Sequence, residues 1–499
     1  MRNSDPGRLR PDRRRKRSGD RLGAVFIRLS AGAMAVNLLM VLGLLVLIGV
    51  KGLGVFWPRS LVEIRLKDGS RIWGAVVERE TVRDIDPGRT EEEGGRNGRR
   101  GFRIRVRVAN RDLEGEEFLW VPEEEIAGIR VREDLVRVER AEWGDFLGRF
   151  LRLEAGGKKV TDSWGGFRKA LDARDSVGPR TDEGRKEAWK AVFEVAGGET
   201  VEIPWEGILD AIRPNRMGFL EKCGFYGNRF FDFLVSEPRS SNTEGGIFPA
   251  IFGTVLMVFL MTIFVTPFGV LAAIYLREYA KDGPFVRILR IAINNLAGVP
   301  SIVFGIFGLG FFVYTLGGRI DSLFFPDRLP EPTFGTGGIL WASLTLALLT
   351  VPVVIVATEE GLAAVPKSVR HGSLALGATK LETIWNVVLP GAAPGILTGV
   401  ILAISRAAGE VAPLMIVGMV KMAPDLPLDG EFPFLHPERK FMHLGFHIFD
   451  LGFQSPDVEA TKPLVYATTL VLVVLVLVMN LGAIALRNRL RKRNATSSV

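Results

Sequence analysis

Six long apolar segments, separated by charged stretches, dominate the pattern of this chain. Each is close to the roughly 20 helical residues needed to cross a hydrocarbon core about 30 Å thick. Prolines inside several of them are compatible with membrane helices, because neighbouring helices can satisfy the carbonyl groups that a proline frees. We therefore predict a bundle of six membrane-spanning helices at residues 29–50, 247–276, 291–318, 333–358, 390–420 and 463–486.

Residues 57–246 depart from this pattern, since they mix both signs of charge. Apolar residues and arginines alternate at 103–108, which is the period of a β-strand. Residues 61–80 hold two strand candidates around an Asp-Gly turn. The stretches 118–129 and 201–212 look alike and hint at two copies of a small β-barrel-like unit. We predict a β-rich insertion outside the membrane.

Lysine and arginine counts in the short loops favour one orientation. The basic stretches 13–17 and 487–493 place both termini in the cytoplasm, together with the loops 277–290 and 359–389. The loop 319–331 has only two basic residues and falls outside. The first apolar segment could instead be a signal peptide, but its length and the lack of a cleavage site after it favour an uncleaved anchor.

Composition and charge exclude several classes of function. The chain has 499 residues, 47% of them apolar, a net charge of +8 and one cysteine, Cys223, so no intrachain disulfide can form. The basic clusters flank apolar segments, which indicates membrane topology rather than nucleic-acid binding.

The sequence contains no Gly-rich phosphate-binding loop and no nucleophile–base set. His436, His443 and His447 share an outer loop, but without a third ligand on a shared face we predict no metal site. We predict no enzyme activity and no cofactor in this chain.

The stretch 365–394 predicts a helical hairpin between the fourth and fifth segments. Pro366 opens a short helix, Gly377 breaks it, and a second helix at 380–388 ends at Pro390. Such an element is either a membrane-surface helix pair or a docking surface for a soluble partner. Its apolar face comprises Ala375, Leu376, Ile384, Val387 and Leu389, and its basic face comprises Lys367, Arg370 and Lys380.

Arg406 and Glu410 are charged residues inside an otherwise apolar segment. Their spacing of four predicts one helix face, with small residues between them. A charge there costs at least about 2.5–3.5 kcal/mol, so it is normally paired or faces a wet path. Arg406 offers a permanent cation with a donor fork suited to phosphate oxygens. The alternative is a structural ion pair that locks two helices.

The hairpin resembles the coupling loop of ABC importer permeases. The signature of that loop is Glu-Ala-Ala, three residues, Gly, and a later Ile and Leu-Pro. Gly377, Ile384, Leu389 and Pro390 match it, whereas His-Gly-Ser stands at 371–373 in place of Glu-Ala-Ala. Further segments are similar to the PstA branch of phosphate permeases in particular, at 244–254, 272–280, 295–310 and 375–418.

This resemblance implies an importer permease that moves inorganic phosphate across the bacterial plasma membrane into the cytoplasm. The implied fold is an all-α bundle of six transmembrane helices, here with the β-rich insertion after the first. The implied partners are a second permease (PstC-like), an ATPase dimer (PstB-like) that binds ATP and Mg²⁺, and a phosphate-binding protein (PstS-like). Arg406 and Glu410 would line the substrate path. The coupling loop would comprise Pro366, Lys367, Arg370, His371, Gly372, Ser373, Gly377, Ile384, Leu389 and Pro390.

The predicted division of the chain is a basic tail, a first helix, the insertion, a five-helix core containing the loop 361–390, and a second basic tail. Two alternatives stay open: a permease for another oxyanion or phosphonate, and a membrane sensor whose outer module binds a ligand. The boundaries of the five parts are 1–21, 22–56, 57–246, 247–487 and 488–499.

Overall fold

The computed structural model describes residues 13–83, 100–173, 189–239, 242–281, 283–455 and 458–496. Six of its helices are long and apolar enough to cross a membrane, which confirms the predicted bundle. These helices, called the first to sixth spans below, are Val25–Phe56, Phe248–Tyr279, Ser301–Phe324, Ile339–Ala364, Lys380–Ala407 and Ala460–Arg489.

The α-helices of the described residues are, in chain order, α1 Arg13–Leu53, α2 Arg111–Glu114, α3 Trp164–Asp172, α4 Phe219–Val235, α5 Phe248–Ile274, α6 Pro284–Leu296, α7 Ser301–Phe307, α8 Gly318–Phe324, α9 Ile339–Ala364, α10 Lys367–Ala375, α11 Lys380–Thr383, α12 Leu389–Ala407, α13 Ala412–Val417, α14 Leu444–Phe449 and α15 Val458–Thr496. Turns of π-helix extend some of them, at Tyr275–Tyr279, Gly308–Gly317, Ile384–Val388 and Asp450–Gln454.

The fourth span is the most buried of the six. Its Ala342 lies in one apolar cluster with Met261 of the second span and Ala403 of the fifth. The hydroxyls of Thr345 and Thr350 in this helix donate to carbonyls one turn earlier, at 2.7 and 2.8 Å. Because these hydroxyls bond within their own helix, the fourth span can be surrounded by apolar neighbours on every side.

The two ends of the bundle carry different structures. At one end, the strands enter from the first span and return to the second, and the carbonyl of Met442 lies against Gly253. At the other end, Arg370 of the hairpin lies 3.1 Å from Glu278 at the end of the second span. We call these ends the sheet side and the hairpin side.

The sheet side is built from two antiparallel sheets, plus a pair of two-residue strands beside the second span. The first sheet has the strand order β4-β3-β2-β1-β5, and the second has the order β10-β9-β7-β6-β11 with β8 added to β7. The strands are β1 Val62–Leu66, β2 Arg71–Arg83, β3 Arg100–Arg107, β4 Phe118–Pro122, β5 Ile126–Val131, β6 Leu135–Arg140, β7 Asp145–Ala155, β8 Lys158–Thr161, β9 Trp189–Glu194, β10 Thr200–Pro204, β11 Ile208–Ile212, β12 Pro238–Arg239 and β13 Glu244–Gly245.

The two sheets repeat one topology. If β8 is set aside as an insertion, each sheet follows the order fourth, third, second, first, fifth along its own stretch of chain. A turn of 3-10 helix joins the last two strands in both, at Glu123–Glu125 and at Trp205–Gly207. The two look-alike sequence stretches occupy these equivalent positions. The label all-α therefore describes only the membrane part of this chain.

The two sheets are tied to each other by buried polar groups. The amide of Asn110 donates to the carbonyl of Leu147 at 3.0 Å and accepts from its N–H at 2.8 Å. Arg107 of the first sheet and Arg137 of the second both pair with Asp145, at 3.0 and 2.7 Å. Burial raises the pKa of Asp145, but the two arginines outweigh it and bring it to about 2.

The third predicted segment, 291–318, is wrong at its start. Residues up to Leu296 form the amphipathic helix α6, and the membrane helix begins only at Ser301. Pro300 explains the break, because it has no N–H to donate and it disfavours helical geometry at the residue before it. An apolar pattern cannot reveal such a boundary when apolar residues lie on both sides of it.

The fifth segment also differs from the prediction at both ends. Pro390 does not end the second hairpin helix, because the helix runs from Lys380 to Ala407 and the proline lies in the first turn of α12 after a π-helical turn. At the other end, residues 408–411 break the helix before α13. The predicted tails are helical where they are described, at 13–21 and 488–496, while 1–12 and 497–499 lie outside the described residues.

Candidate functional site: the hairpin and the broken fifth span

The hairpin forms for reasons that can be read from its local sequence. Helix α10 is followed by Gly377 at a φ of +91°, a conformation that glycine adopts without steric cost. Thr379 and Glu382 then make a capping box, in which the Thr379 N–H donates to the Glu382 carboxylate at 2.8 Å. The helix–glycine–helix prediction is confirmed at these positions.

One side of the hairpin is fastened to the end of the second span. Arg370 lies 3.1 Å from the carboxylate of Glu278 and donates to the carbonyl of Leu362 at 2.5 Å. Lys380 donates to the carbonyl of Glu278 and lies 4.6 Å from the centre of the Tyr279 ring. Both basic residues contact Glu278, so two helices of the hairpin are joined to the same residue at the end of the second span.

The predicted apolar face divides into a buried part and an exposed part. Ile384 is buried with Leu276 of the second span and Val286 of α6. Leu376 is 91% exposed and Trp385 is 62% exposed, although both are large apolar residues. The exposed hairpin strip, as we call it, comprises Val369, Leu374, Leu376, Leu381 and Trp385. Periodicity alone could not separate the two sets, because both follow the same helices.

The residues that stand in place of Glu-Ala-Ala differ in environment. His371 and Gly372 are exposed, whereas Ser373 is half-buried and its hydroxyl lies 3.0 Å from that of Thr383, joining the two helices of the hairpin. Of the other predicted loop residues, Pro366, Lys367 and Pro390 are exposed, and Leu389 is half-buried at the start of the long helix.

Arg406 and Glu410 are brought together, but not on one continuous helix as predicted. Helix α12 ends at Ala407, and Glu410 lies in the break before α13. The Nε of Arg406 is 3.5 Å from the nearer carboxylate oxygen of Glu410, which is longer than an ordinary N–H···O bond. Arg406 stays 34% exposed while Ala407 and Ala408 are fully buried. The guanidinium is thus only loosely held and about a third of its side chain is exposed.

A cleft of about 300 Å³ opens on the hairpin side between α5, α6 and α9. Arg290 borders it, with its Nη2 3.4 Å from Glu359 and 3.3 Å from the carbonyl of Leu276. Its lining residues are Arg277, Arg290, Ile293, Asn294, Ile355, Val356, Glu359, Glu360 and Ala363. Sequence reasoning missed this cleft, because its residues come from three helices that are far apart in the chain.

The three histidines between the fifth and sixth spans do not share one environment. His443 and His447 are buried, and burial lowers the pKa of each to about 4. They are therefore neutral packing residues at physiological pH. His436 instead lies 3.1 Å from the carboxylate of Asp429. We predict no metal site from the spacing of His443 and His447.

Comparison of the sequence with known proteins assigns the chain to a family. Residues 265–493 match the model for "Binding-protein-dependent transport system inner membrane component". The chain is 31% identical to the probable ABC transporter permease protein YqgI of Bacillus subtilis over 260 residues, which are 51% of this chain and 81% of that protein. The chain belongs to this family of ABC transporter permeases.

Other relatives of this permease are named PstA. It is 34% identical to the phosphate transport system permease protein PstA of Yersinia pestis over 251 residues, 50% of this chain and 75% of that protein. It is 37% identical to PstA of Mycobacterium leprae over 197 residues, which are 39% of this chain but only 59% of that protein's length. These similarities confirm the predicted PstA-like membership. The family consists of membrane permeases rather than enzymes, as predicted.

The family match covers the permease core and leaves out the sheets. Residues 265–493 include the hairpin, the cleft and the broken fifth span, whereas β1 to β13 lie before the match. The roles of the individual hairpin residues, and of Arg406 and Glu410, stay predictions.

Proposed function

We propose that this chain is the permease subunit of an ATP-binding-cassette importer that carries inorganic phosphate across the bacterial plasma membrane into the cytoplasm. The substrate is suggested by the relatives named phosphate transport system permease. The observation on which the proposal depends is the loosely held guanidinium of Arg406 at the break of the fifth span.

The break suits a substrate path. Backbone that leaves the helix at membrane depth is tolerated where it is buried in protein or lines a water-filled cavity. Arg406 in the last turn before the break presents a fork of N–H donors that matches the oxygens of a phosphate. Glu410 competes for the same donors at 3.5 Å, so it keeps Arg406 in place and weakens the hold on the anion, which a transported substrate needs.

The hairpin is the proposed contact with the ATPase. Arg370 and Lys380 fasten it to Glu278 and Tyr279, and the exposed hairpin strip is left available to a partner. An apolar strip of this kind, flanked by polar residues, is typical of a protein interface. The proposed assembly adds a homologous second permease (PstC-like), an ATPase dimer (PstB-like) that supplies ATP hydrolysis, and a phosphate-binding protein (PstS-like).

The proposed orientation has the hairpin and both termini in the cytoplasm and the sheets outside. Its support is the basic residues of the short loops on the hairpin side, from Arg277 to Arg290, and of the terminal stretches. Cysteine-accessibility labelling of Lys367→Cys, compared with the exposed Lys158→Cys on the sheet side, would test it, with Cys223→Ser in both chains to remove the exposed native thiol. Labelling of the Lys367→Cys site from outside intact cells would reverse the orientation.

Phosphate uptake tests the role of Arg406. Radiolabelled phosphate uptake should be abolished in Arg406→Ala and strongly reduced in Arg406→Lys, since an ammonium group lacks the planar donor fork. Arg319→Ala, an exposed arginine at the end of the third span, is the matched control and should transport normally at equal membrane levels. Normal uptake by Arg406→Ala would remove this residue from the path. Uptake of radiolabelled sulfate or of a phosphonate, with no uptake of radiolabelled phosphate, would instead favour the alternative substrates.

A further inference from the structure

Helix α4 crosses the sheet-side end of the first span with an aromatic face. The ring of Phe56 lies 6.3 Å from that of Tyr226, 5.5 Å from that of Phe230 and 5.1 Å from that of Phe233. The neighbouring Trp57 contacts Phe219 and Tyr226, both at 6.1 Å. Two adjacent residues at the end of one helix thus touch residues from Phe219 to Phe233 of the other, a length of about 21 Å at 1.5 Å per residue. Such contacts indicate that α4 lies across the end of the span and not alongside it.

A second face of α4 is turned toward the sheets. Arg229 forms an ion pair with Glu139 of β6 and packs over the ring of Phe225 at 5.3 Å. Glu139 is also paired with Arg239, at 2.7 Å, just after the helix. The charged side of α4 is therefore the side that carries the β-rich unit.

The side of α4 opposite Arg229 is uncharged and exposed. Leu220 lies nine residues before Arg229, which is two and a half helical turns and therefore the far side of the helix. Leu220 is 83% exposed, Phe219 72% and Phe231 62%. A side chain added at Gly224 or Gly227 would meet no atom within 4 Å. The exposed α4 face comprises Phe219, Leu220, Cys223, Gly224, Gly227, Phe231 and Val235.

We propose that α4 is an in-plane membrane anchor, whose exposed α4 face inserts into the boundary between headgroups and acyl chains of the sheet-side leaflet. The sheets occupy the opposite side of α4, and the first and second spans end beside it, so this face is directed at the lipid around those spans. A helix with one uncharged aromatic face and one charged face binds lipid in this way. Trp57 and Tyr226 next to it are the residue types enriched at membrane–water interfaces.

The chain provides its own probe for this proposal, because its single cysteine, Cys223, is exposed on this face. A nitroxide attached to Cys223 in the full-length chain, in lipid nanodiscs with its assembled partners, reports collision rates with oxygen and with a water-soluble nickel chelate. The label should collide more with oxygen, which partitions into lipid. The matched control is Cys223→Ser combined with Asp232→Cys, since Asp232 is exposed and lies nine residues from Cys223 on the opposite side of α4.

The control label should show the reverse preference, for the nickel chelate. Accessibility of the Cys223 label to the chelate equal to that of the control would place the exposed α4 face in water and overturn the proposal. Shielding of the Cys223 label from both reagents would also overturn it, because the face would then be covered by a protein partner. The native cysteine is labelled without any substitution, so a failure to fold cannot obscure the result.

Discussion

The fourth and fifth spans approach each other closely at two glycines, Gly361 and Gly395. A Cβ built on Gly395 would lie 2.5 Å from the Cα of Gly361, and one built on Gly361 would lie 3.0 Å from the carbonyl oxygen of Ala392. Carbon atoms in contact normally lie about 3.5–4.0 Å apart. Gly395→Ala can therefore be accommodated only if the two helix backbones separate by about 1 Å.

This separation has a calculable effect on stability. Both helices are in tightly packed surroundings, and inserting a methyl group into such a site costs about 1–3 kcal/mol. The corresponding fall in melting temperature is roughly 2–12 °C, using about 2–4 °C per kcal/mol for a large domain. The separation would also shift the hairpin, since Gly361 precedes it by only a few residues on the fourth span.

Thermal unfolding of the purified chain in detergent, followed by tryptophan fluorescence, measures this effect. Gly372→Ala is the matched control, because that glycine lies inside α10 with no atom within 4 Å of an added Cβ. Alanine is favoured over glycine in an open helix by about 1 kcal/mol, so this control should melt at the same temperature or slightly higher. A Gly395→Ala chain that melts at or above the wild-type temperature would refute the tight crossing.

Three further outcomes follow from charged groups. Burial and the neighbouring Asp145 raise the pKa of Glu244 to about 7. This shift means that the folded protein disfavours the ionised carboxylate, relative to the neutral acid, by roughly 3 kcal/mol. Glu244→Gln should therefore raise the melting temperature at pH 8 and leave it nearly unchanged at pH 4, below the pKa of the unfolded carboxyl, and an equal effect at both values would contradict this. The depressed pKa of Asp145 means that its stabilisation is complete above about pH 4 and is lost toward pH 2. Asp145→Asn should destabilise by about 3 kcal/mol at pH 7, with the difference in melting temperature closing in acid. Arg370→Met should speed hydrogen exchange in Lys367–Ala375 by removing the pair with Glu278, and unchanged exchange would show that this pair does not hold the hairpin.

The sequence was sufficient to predict the backbone conformation where neighbouring residues alone decide it. Gly377 at positive φ and the capping box at Thr379 follow from residue type alone. The same holds for the β-turn at Gly69, whose φ is +92°, between β1 and β2. The apolar lengths likewise fixed the number of spans, because the thickness of a membrane allows little variation.

The remaining features are decided by contacts between distant segments. Pro390 was expected to stop a helix, yet the preceding π-turn lets the helix continue through it. The end of α12 at Ala407 lies between Arg406 and Glu410, whose spacing of four fits a continuous helix, so the sequence pattern does not mark the break. Glu278 and Tyr279, which hold the hairpin, carry no signal of that role until the fold brings the second span beside Lys380.

The carboxylate of Glu139 in β6 pairs with two arginines that lie outside the two large sheets. Two arginines reach it from the chain that leads out of the sheets, Arg229 within α4 and Arg239 beyond it. The apolar cluster that includes Phe146 and Phe193 lies within the second sheet and does not involve either arginine. Glu139 thus joins the β-rich unit to the helix and chain that lead to the second span without taking part in the apolar interior of that unit, so this connection can change without disturbing that interior.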